Sequence, residues 1–248
     1  MSNGDDRNQF EASKRVLASR MASDRSLVEK AHQLFADADV HDFSYQWSWL
    51  GVPIIQVPTD IVLLQEAIWE TKPTLIVETG IGRGGSAIFF ASILELLGQG
   101  TVLAIDIDIR EHNRKTIEAH PLSSRITLLE GDSVSQEVTS YVRALAQEAQ
   151  GVMVVLDSHH THSHVLEELR AYGGFVTPGC HLVVADTIID FIPPHPSRNR
   201  PWGPGNSPFS AVTEFLRDEK QFEMDSWYNQ RTLLSSCPAG FLKRIAGT

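Results

Sequence analysis

Apolar residues recur along this chain in two alternating rhythms. Short apolar runs stand at 74–78, 101–105, 126–130, 152–156 and 181–185, and the stretches between them, 86–97, 111–119, 134–149 and 162–171, carry apolar residues at helical spacing. Runs this continuous, set between amphipathic helices, predict a largely parallel sheet covered on both faces. The expected fold class is therefore α/β, Rossmann-like and doubly wound. Ahead of it, 1–12 is polar and reads as loose, and 17–35 reads as one helix. The segment 43–57 is aromatic and extended, with Tyr45, Trp47 and Trp49 at period two. Pro58 opens a helix continuing over 60–69, and Lys72-Pro73 ends it before the first main strand. Near the end, 210–216 reads as a helix, and 230–235 and 240–244 read as short extended pieces. This divides the chain into an N-terminal helix and aromatic arm, 1–58, and a Rossmann-like domain, 59–248.

The stretch TLIVETGIGRGGS, 74–86, is strand, glycine turn and helix start. Gly80, Gly82 and Gly84 alternate, with Gly85 beside the last, in an arrangement that brings backbone close to a nucleotide-like ligand. Asp106 follows the next strand, where an acid can accept both ribose hydroxyls of an adenosine. Each remaining strand also ends in acidic groups. Glu78 closes the first, Asp132 follows the third beside Gly131 and Ser133, Asp157 follows the fourth, and Asp186 and Asp190 follow the fifth. Clustered carboxylates repel and resist desolvation, so this concentration points to a cofactor and a cation.

Asp157 and Asp186, from two strand ends and without cysteine, suit a hard divalent ion such as Mg2+, although imidazole nearby leaves manganese, iron or zinc open. The run DSHHTHSH places His159, His160, His162 and His164 around a helix start. His160, three residues after Asp157, can take a proton from a substrate hydroxyl. His162 and His164 read as structural. His159 faces either the ion or solvent. The segment 191–208 holds six prolines with Arg198, Arg200 and Trp202, and reads as an ordered substrate lid. Tyr45, Trp47, His159, Asp190 and Trp202 are candidate acceptor contacts.

Composition narrows the partners. The 248 residues carry a formal net charge of -10 and show no basic block, which argues against nucleic acid or anionic membrane. Two cysteines make no disulfide framework, and no apolar run reaches spanning length. The start lacks an apolar signal core, so the chain reads as a cytoplasmic protein. The aromatic arm exceeds what a minimal core requires and suggests a homodimer or larger ring.

The segments FSYQWSWLGVPIIQVPTDI, ETGIGRGGSAIFFAS, AIDIDIR, GDS, LDSHHTHSHVLEEL and VVADTIID together resemble the cephalosporin hydroxylase family, over about 43–216. That family is S-adenosyl-L-methionine-dependent and metal-assisted in O-methyl transfer, and related to rhamnosyl and macrolide-sugar O-methyltransferases. The resemblance implies the class I methyltransferase fold, a homo-oligomer, and a small acceptor presenting vicinal oxygens, such as a sugar or catechol-like ring. A looser resemblance to catechol O-methyltransferase-like enzymes matches Glu78, Gly80, Gly84 and Ser86 to their cofactor turn, and Asp106 to their ribose acid. It matches Gly131, Asp132 and Ser133 to their adenine-side motif. Their metal acids fall on Asp157 and Asp186, their third metal position on Thr187, and their catalytic lysine on His160. Ala185 stands where the cephalosporin hydroxylase family often has Glu. Two alternatives stay open. One is an NAD-dependent oxidoreductase, since Gly80, Gly82 and Gly85 also satisfy G-x-G-x-x-G. The other is a hydroxylase-associated protein or a non-heme oxygenase with two of the histidines beside Asp157.

Overall fold

The computed structural model describes residues 6–245. The chain enters through two helices, α1 (Arg7–Ser23) and α2 (Arg25–Asp39). The expected single helix over 17–35 is thus two, and the expected loose start is helical from Arg7, with 1–5 outside the described residues. The break falls at Asp24, whose extended backbone ends α1 and whose carboxylate accepts from Leu27 N to cap α2.

The aromatic segment folds as a 3-10 turn, Phe43–Tyr45, then a hairpin of β1 (Trp47–Trp49) and β2 (Val52–Ile54). Leu50 and Gly51 both have positive φ, the two-residue turn that matches hairpin twist. Val52 and Ile54 are buried in the same apolar cluster as helix α4 (Gly85–Leu97), so the arm packs onto the main body. Helix α3 (Pro58–Thr71) lies between them in sequence and begins at Pro58 as expected.

Five strands run parallel: β3 (Leu75–Thr79), β4 (Thr101–Asp106), β5 (Ile126–Glu130), β6 (Val152–Leu156) and β7 (His181–Val184). The linking helices are α4, α5 (Glu111–Glu118), α6 (Gln136–Glu148) and α7 (His162–Tyr172). After β7 the chain forms α8 (Pro208–Asp218), β8 (Phe222–Met224), the short α9 (Ser226–Asn229) and β9 (Phe241–Arg244). The sheet order is β5-β4-β3-β6-β7-β9-β8, with β9 antiparallel to both neighbours. The fold is a mostly parallel Rossmann-like α/β sheet of the class I methyltransferase type with an N-terminal helical extension. The strand expected at 230–235 is absent. Phe222–Met224 takes that edge, because Ser235 and Ser236 spend their polar groups on Asp60.

Both sheet faces are covered, which is why the strands read as apolar runs. Ile76, Val102, Ala104 and Met153 face one cluster with α3 and α4, and Val77, Leu103, Ile105 and Val154 face another with α6, α7 and α8. Among the described residues no helix is long and apolar enough to cross a membrane.

The strand order reverses between β3 and β6, so a crevice opens at their carboxyl ends. There β3 and β6 approach so closely that a Cβ on Gly80 (φ +81) would collide with the Asp157 carbonyl. Gly51 (φ +88) has open space around it. Gly51→Ala should therefore cost only its left-handed backbone, about 1–2 kcal/mol. Gly80→Ala should cost clearly more. Urea unfolding measures both, and equal losses would remove the close approach as a constraint.

Candidate functional site

The crevice has a volume of about 410 Å³, within the range of small-molecule sites. Gly80 and Ser86 of the glycine turn form one wall, Asp157 and Asp186 the floor, and Tyr45 and Trp202 the side away from the sheet.

On the floor, one ligand atom each from Asp157, His160 and Asp186 lie within 4.8 Å of one another. The His160 Nε2 is 3.5 Å from Asp186 Oδ2. Burial, then the negative charges of Asp186, Glu78 and Asp60, push the Asp157 carboxyl well above its ordinary range. Two carboxylates and an imidazole without thiol suit a hard divalent cation, and such an ion relieves the repulsion between them. The residues fit the ion.

Each member has a local reason for its place. Asp157 follows β6 directly, and its Oδ2 accepts from Gln56 Nε2 at 3.1 Å. Asp186 adopts a left-handed backbone, φ 55, a conformation that Asp tolerates better than most residues, and so turns the chain sharply after β7. His160 precedes α7 rather than riding on it, since the helix starts at His162. Its ring lies edge-on to Trp202, with centroids 4.8 Å apart. Behind the floor, fully buried Asp60 accepts from Ser235 Oγ and from Ser236 N and Oγ. Ser236 O in turn accepts from Ile188 N, tying this acid to the turn that follows Asp186. Burial pushes Asp60 up to about 6, against the lowering effect of those hydrogen bonds.

At Thr187, the expected third metal position, the buried hydroxyl donates to the Pro238 carbonyl at 2.6 Å, while His160 stands beside the two acids. Ala185 packs in the apolar cluster and offers no oxygen. His159 is exposed and bonded to Thr161, which leaves the floor with one imidazole rather than the two an oxygenase triad requires. His162 joins Ser210 and Glu214 on α8, and His164 lies near Ser133, Ser158 and Glu168. Both histidines brace elements around the crevice.

Among the expected acceptor contacts, Tyr45 and Trp202 line the crevice. Trp47 instead packs edge-on to Phe43 and against the core, because β1 turns its indole toward the body. Asp190 accepts from Gly205 N and Ser207 Oγ, so it braces the proline-rich loop from below. That loop is tied to α2 and its exit by Arg198, which pairs with Asp39 and Asp42.

The cofactor side is built around Glu78, which is 1% exposed at the end of β3. Burial pushes its carboxyl up to about 8, moderated by a hydrogen bond from Ser86, and its Oε2 is buried with no partner. An unanswered acceptor beside a glycine turn fits a ligand that brings ammonium or hydroxyl donors, as S-adenosyl-L-methionine does. Asp106 Oδ2 accepts from Ile81 N and Gly82 N, and Oδ1 from Asp108 N, so this acid pins the glycine turn. Gly84 and Gly85 are needed for packing: a Cβ on either would collide with Ile117 or with the Pro53 carbonyl. Ser133 is buried, its carbonyl accepting from Tyr172 Oη at 2.6 Å, and neighbouring Asp132 is exposed and accepts from Val134 N.

Sequence reading missed Gln56 and Asp60. Both flank Pro58 in a segment with no strand-end signal, and only folding brings them under the floor.

The raised carboxyls have a measurable consequence. Asp60 rises from 3.8 to about 6 and Glu78 from 4.5 to about 8, so the folded chain binds these protons more tightly than the unfolded chain. Stability of the ligand-free, chelator-treated protein should then fall as pH rises from about 4 to about 8. The melting temperature should drop over that window, and saturating Mg2+ should recover part of it at the alkaline end. Differential scanning fluorimetry checks both, and a flat profile would contradict the assignment.

The comparisons follow this geometry. The family model described as Rhamnosyl O-methyltransferase/CmcI matches residues 41–245. The chain is 28% identical over 222 residues to the rhamnosyl O-methyltransferase of Mycobacterium leprae (strain TN), covering 88% of this chain and 91% of that protein. It is 29% identical over 204 residues to that of Mycobacterium tuberculosis (strain ATCC 25618 / H37Rv), covering 79% and 78%. The solved structure "cmcI-D160 Mg-SAM" is similar in fold, with a TM-score of 0.58 and 23% identity over 83% of this chain and 78% of that one. The match spans the whole sheet and the acid-lined crevice, and the chain belongs to the Rhamnosyl O-methyltransferase/CmcI family of S-adenosyl-L-methionine-dependent O-methyltransferases.

Proposed function

We propose that this enzyme moves the methyl group of S-adenosyl-L-methionine to a hydroxyl of a small sugar-bearing or natural-product acceptor, assisted by Mg2+. The observation that carries the reading is the Asp157, His160 and Asp186 cluster in the same crevice as the glycine turn. The name of the mycobacterial relatives puts rhamnosyl hydroxyls first among acceptors to test.

The reaction is an in-line displacement: a carbon–oxygen bond forms as the carbon–sulfur bond breaks, and the hydroxyl proton must leave. The chain's work is alignment and proton removal. Glu78 and Asp106 hold the donor, with Gly80, Gly82, Gly84 and Ser86 at the turn and Asp132 and Ser133 on the adenine side. Asp157 and Asp186 would hold Mg2+, which would supply stabilisation of the negative charge developing on the acceptor oxygen. His160 takes the proton. Asp186 Oδ2 lies 3.5 Å from its Nε2. Trp202, edge-on to His160, fixes that ring and offers a flat wall to a sugar. Tyr45 completes the wall, and the proline-rich loop 191–208 acts as the lid.

His160→Ala should lower kcat by about 10²–10⁴-fold with little change in S-adenosyl-L-methionine affinity. Asp157→Asn and Asp186→Asn should abolish the Mg2+ requirement together with turnover. Methyl transfer to a panel of rhamnosides, read by mass spectrometry with and without EDTA, tests the reading. Activity that survives chelation would remove the cation from it.

A further inference from the structure

Gln56 leaves the hairpin and reaches the crevice floor, where its Nε2 donates to Asp157 Oδ2 at 3.1 Å. A carboxylate only accepts, so the amide must present its nitrogen there, and chemistry fixes which way round it sits. The oxygen is left without a donor. Gln56 is 7% exposed, and its Oε1 is buried and unpartnered. A buried amide oxygen in that state is unfavourable in the protein alone. The floor beside it has two carboxylates and one imidazole, while Ala185, 3% exposed within the apolar cluster, contributes nothing.

We propose that Gln56 is a positioning residue of the cation site, holding Asp157 through Nε2 while Oε1 accepts a hydrogen bond from the ion's water shell. This rests on the cation reading above. Mg2+ keeps several waters when bound, and those waters are donors. A neutral oxygen in the outer shell suits a site that lacks the second acid at Ala185. The N-terminal hairpin thereby belongs to the metal site, and the segment before α3 has a reason to end at this crevice.

The test uses Mn2+ binding by isothermal titration calorimetry on the full chain. Gln56→Leu should weaken Mn2+ by about 10–100-fold, the usual scale for outer-shell partners. S-adenosylhomocysteine affinity, measured in chelator, should not change in the same variant. Gln56→Met, close to the same length but without either amide group, should weaken Mn2+ on the same scale. Unchanged Mn2+ affinity in Gln56→Leu makes Gln56 a hairpin tether only and overturns the inference while leaving the cation reading intact. Should Gln56→Leu fail to fold, unchanged Mn2+ affinity in Gln56→Met overturns it by itself. A parent protein that does not bind Mn2+ overturns both.

Discussion

Negative charge held away from water is the constraint on which this structure turns. Asp60, Glu78 and Asp157 stand at or behind the carboxyl ends of the central strands, and burial first, then repulsion from neighbouring carboxylates such as Asp186 and Asp106, raises all three carboxyls. The protein answers part of this itself. Ser235 and Ser236 bond Asp60, Ser86 bonds Glu78, and Gln56 bonds one oxygen of Asp157. Positive charge from outside would answer what remains, and a divalent ion and a sulfonium cofactor both carry it.

The fold creates that deficit by geometry. Parallel strands all finish at one edge, and the reversal of order between β3 and β6 leaves a gap in the helices above them. Glycine at position 80 lets the two strand ends meet, so the glycine turn and the acids Asp157 and Asp186 line one crevice. The hairpin and the proline-rich loop close the other side. Val52 and Ile54 hold the hairpin in the core, while the loop is tied by Arg198 to Asp39 and Asp42 and by Asp190 to Ser207.

The regular part of the molecule was legible because both sheet faces are covered. Strands such as 126–130 and 152–156 kept their sequence bounds in the structure. The irregular parts were not. One helix became two at Asp24 because a single side chain cap outweighed the apolar periodicity. The edge strand moved from 230–235 to Phe222–Met224, since the later serines answer a buried acid that lies far away in sequence. In the site, Asp157, His160 and Asp186 were readable as strand-end residues. Trp47 and Asp190 were expected at the acceptor and lie elsewhere, because Trp47 packs toward the core and Asp190 is spent on Gly205 N and Ser207 Oγ.

Local pattern alone determined the alternation of strand and helix, the glycine turn and the acids at each strand end, because periodicity and turn chemistry act over a few residues. Tertiary structure alone decided which of those acids share one cavity and which are tied down elsewhere. It also decided that Asp186 turns left-handed, that His160 lies off its helix, and that Gln56 and Asp60 reach the floor across about a hundred residues of chain or more. The physical reason is that electrostatic and hydrogen-bond partners are chosen by proximity in the folded chain, a quantity that spacing along the sequence does not carry.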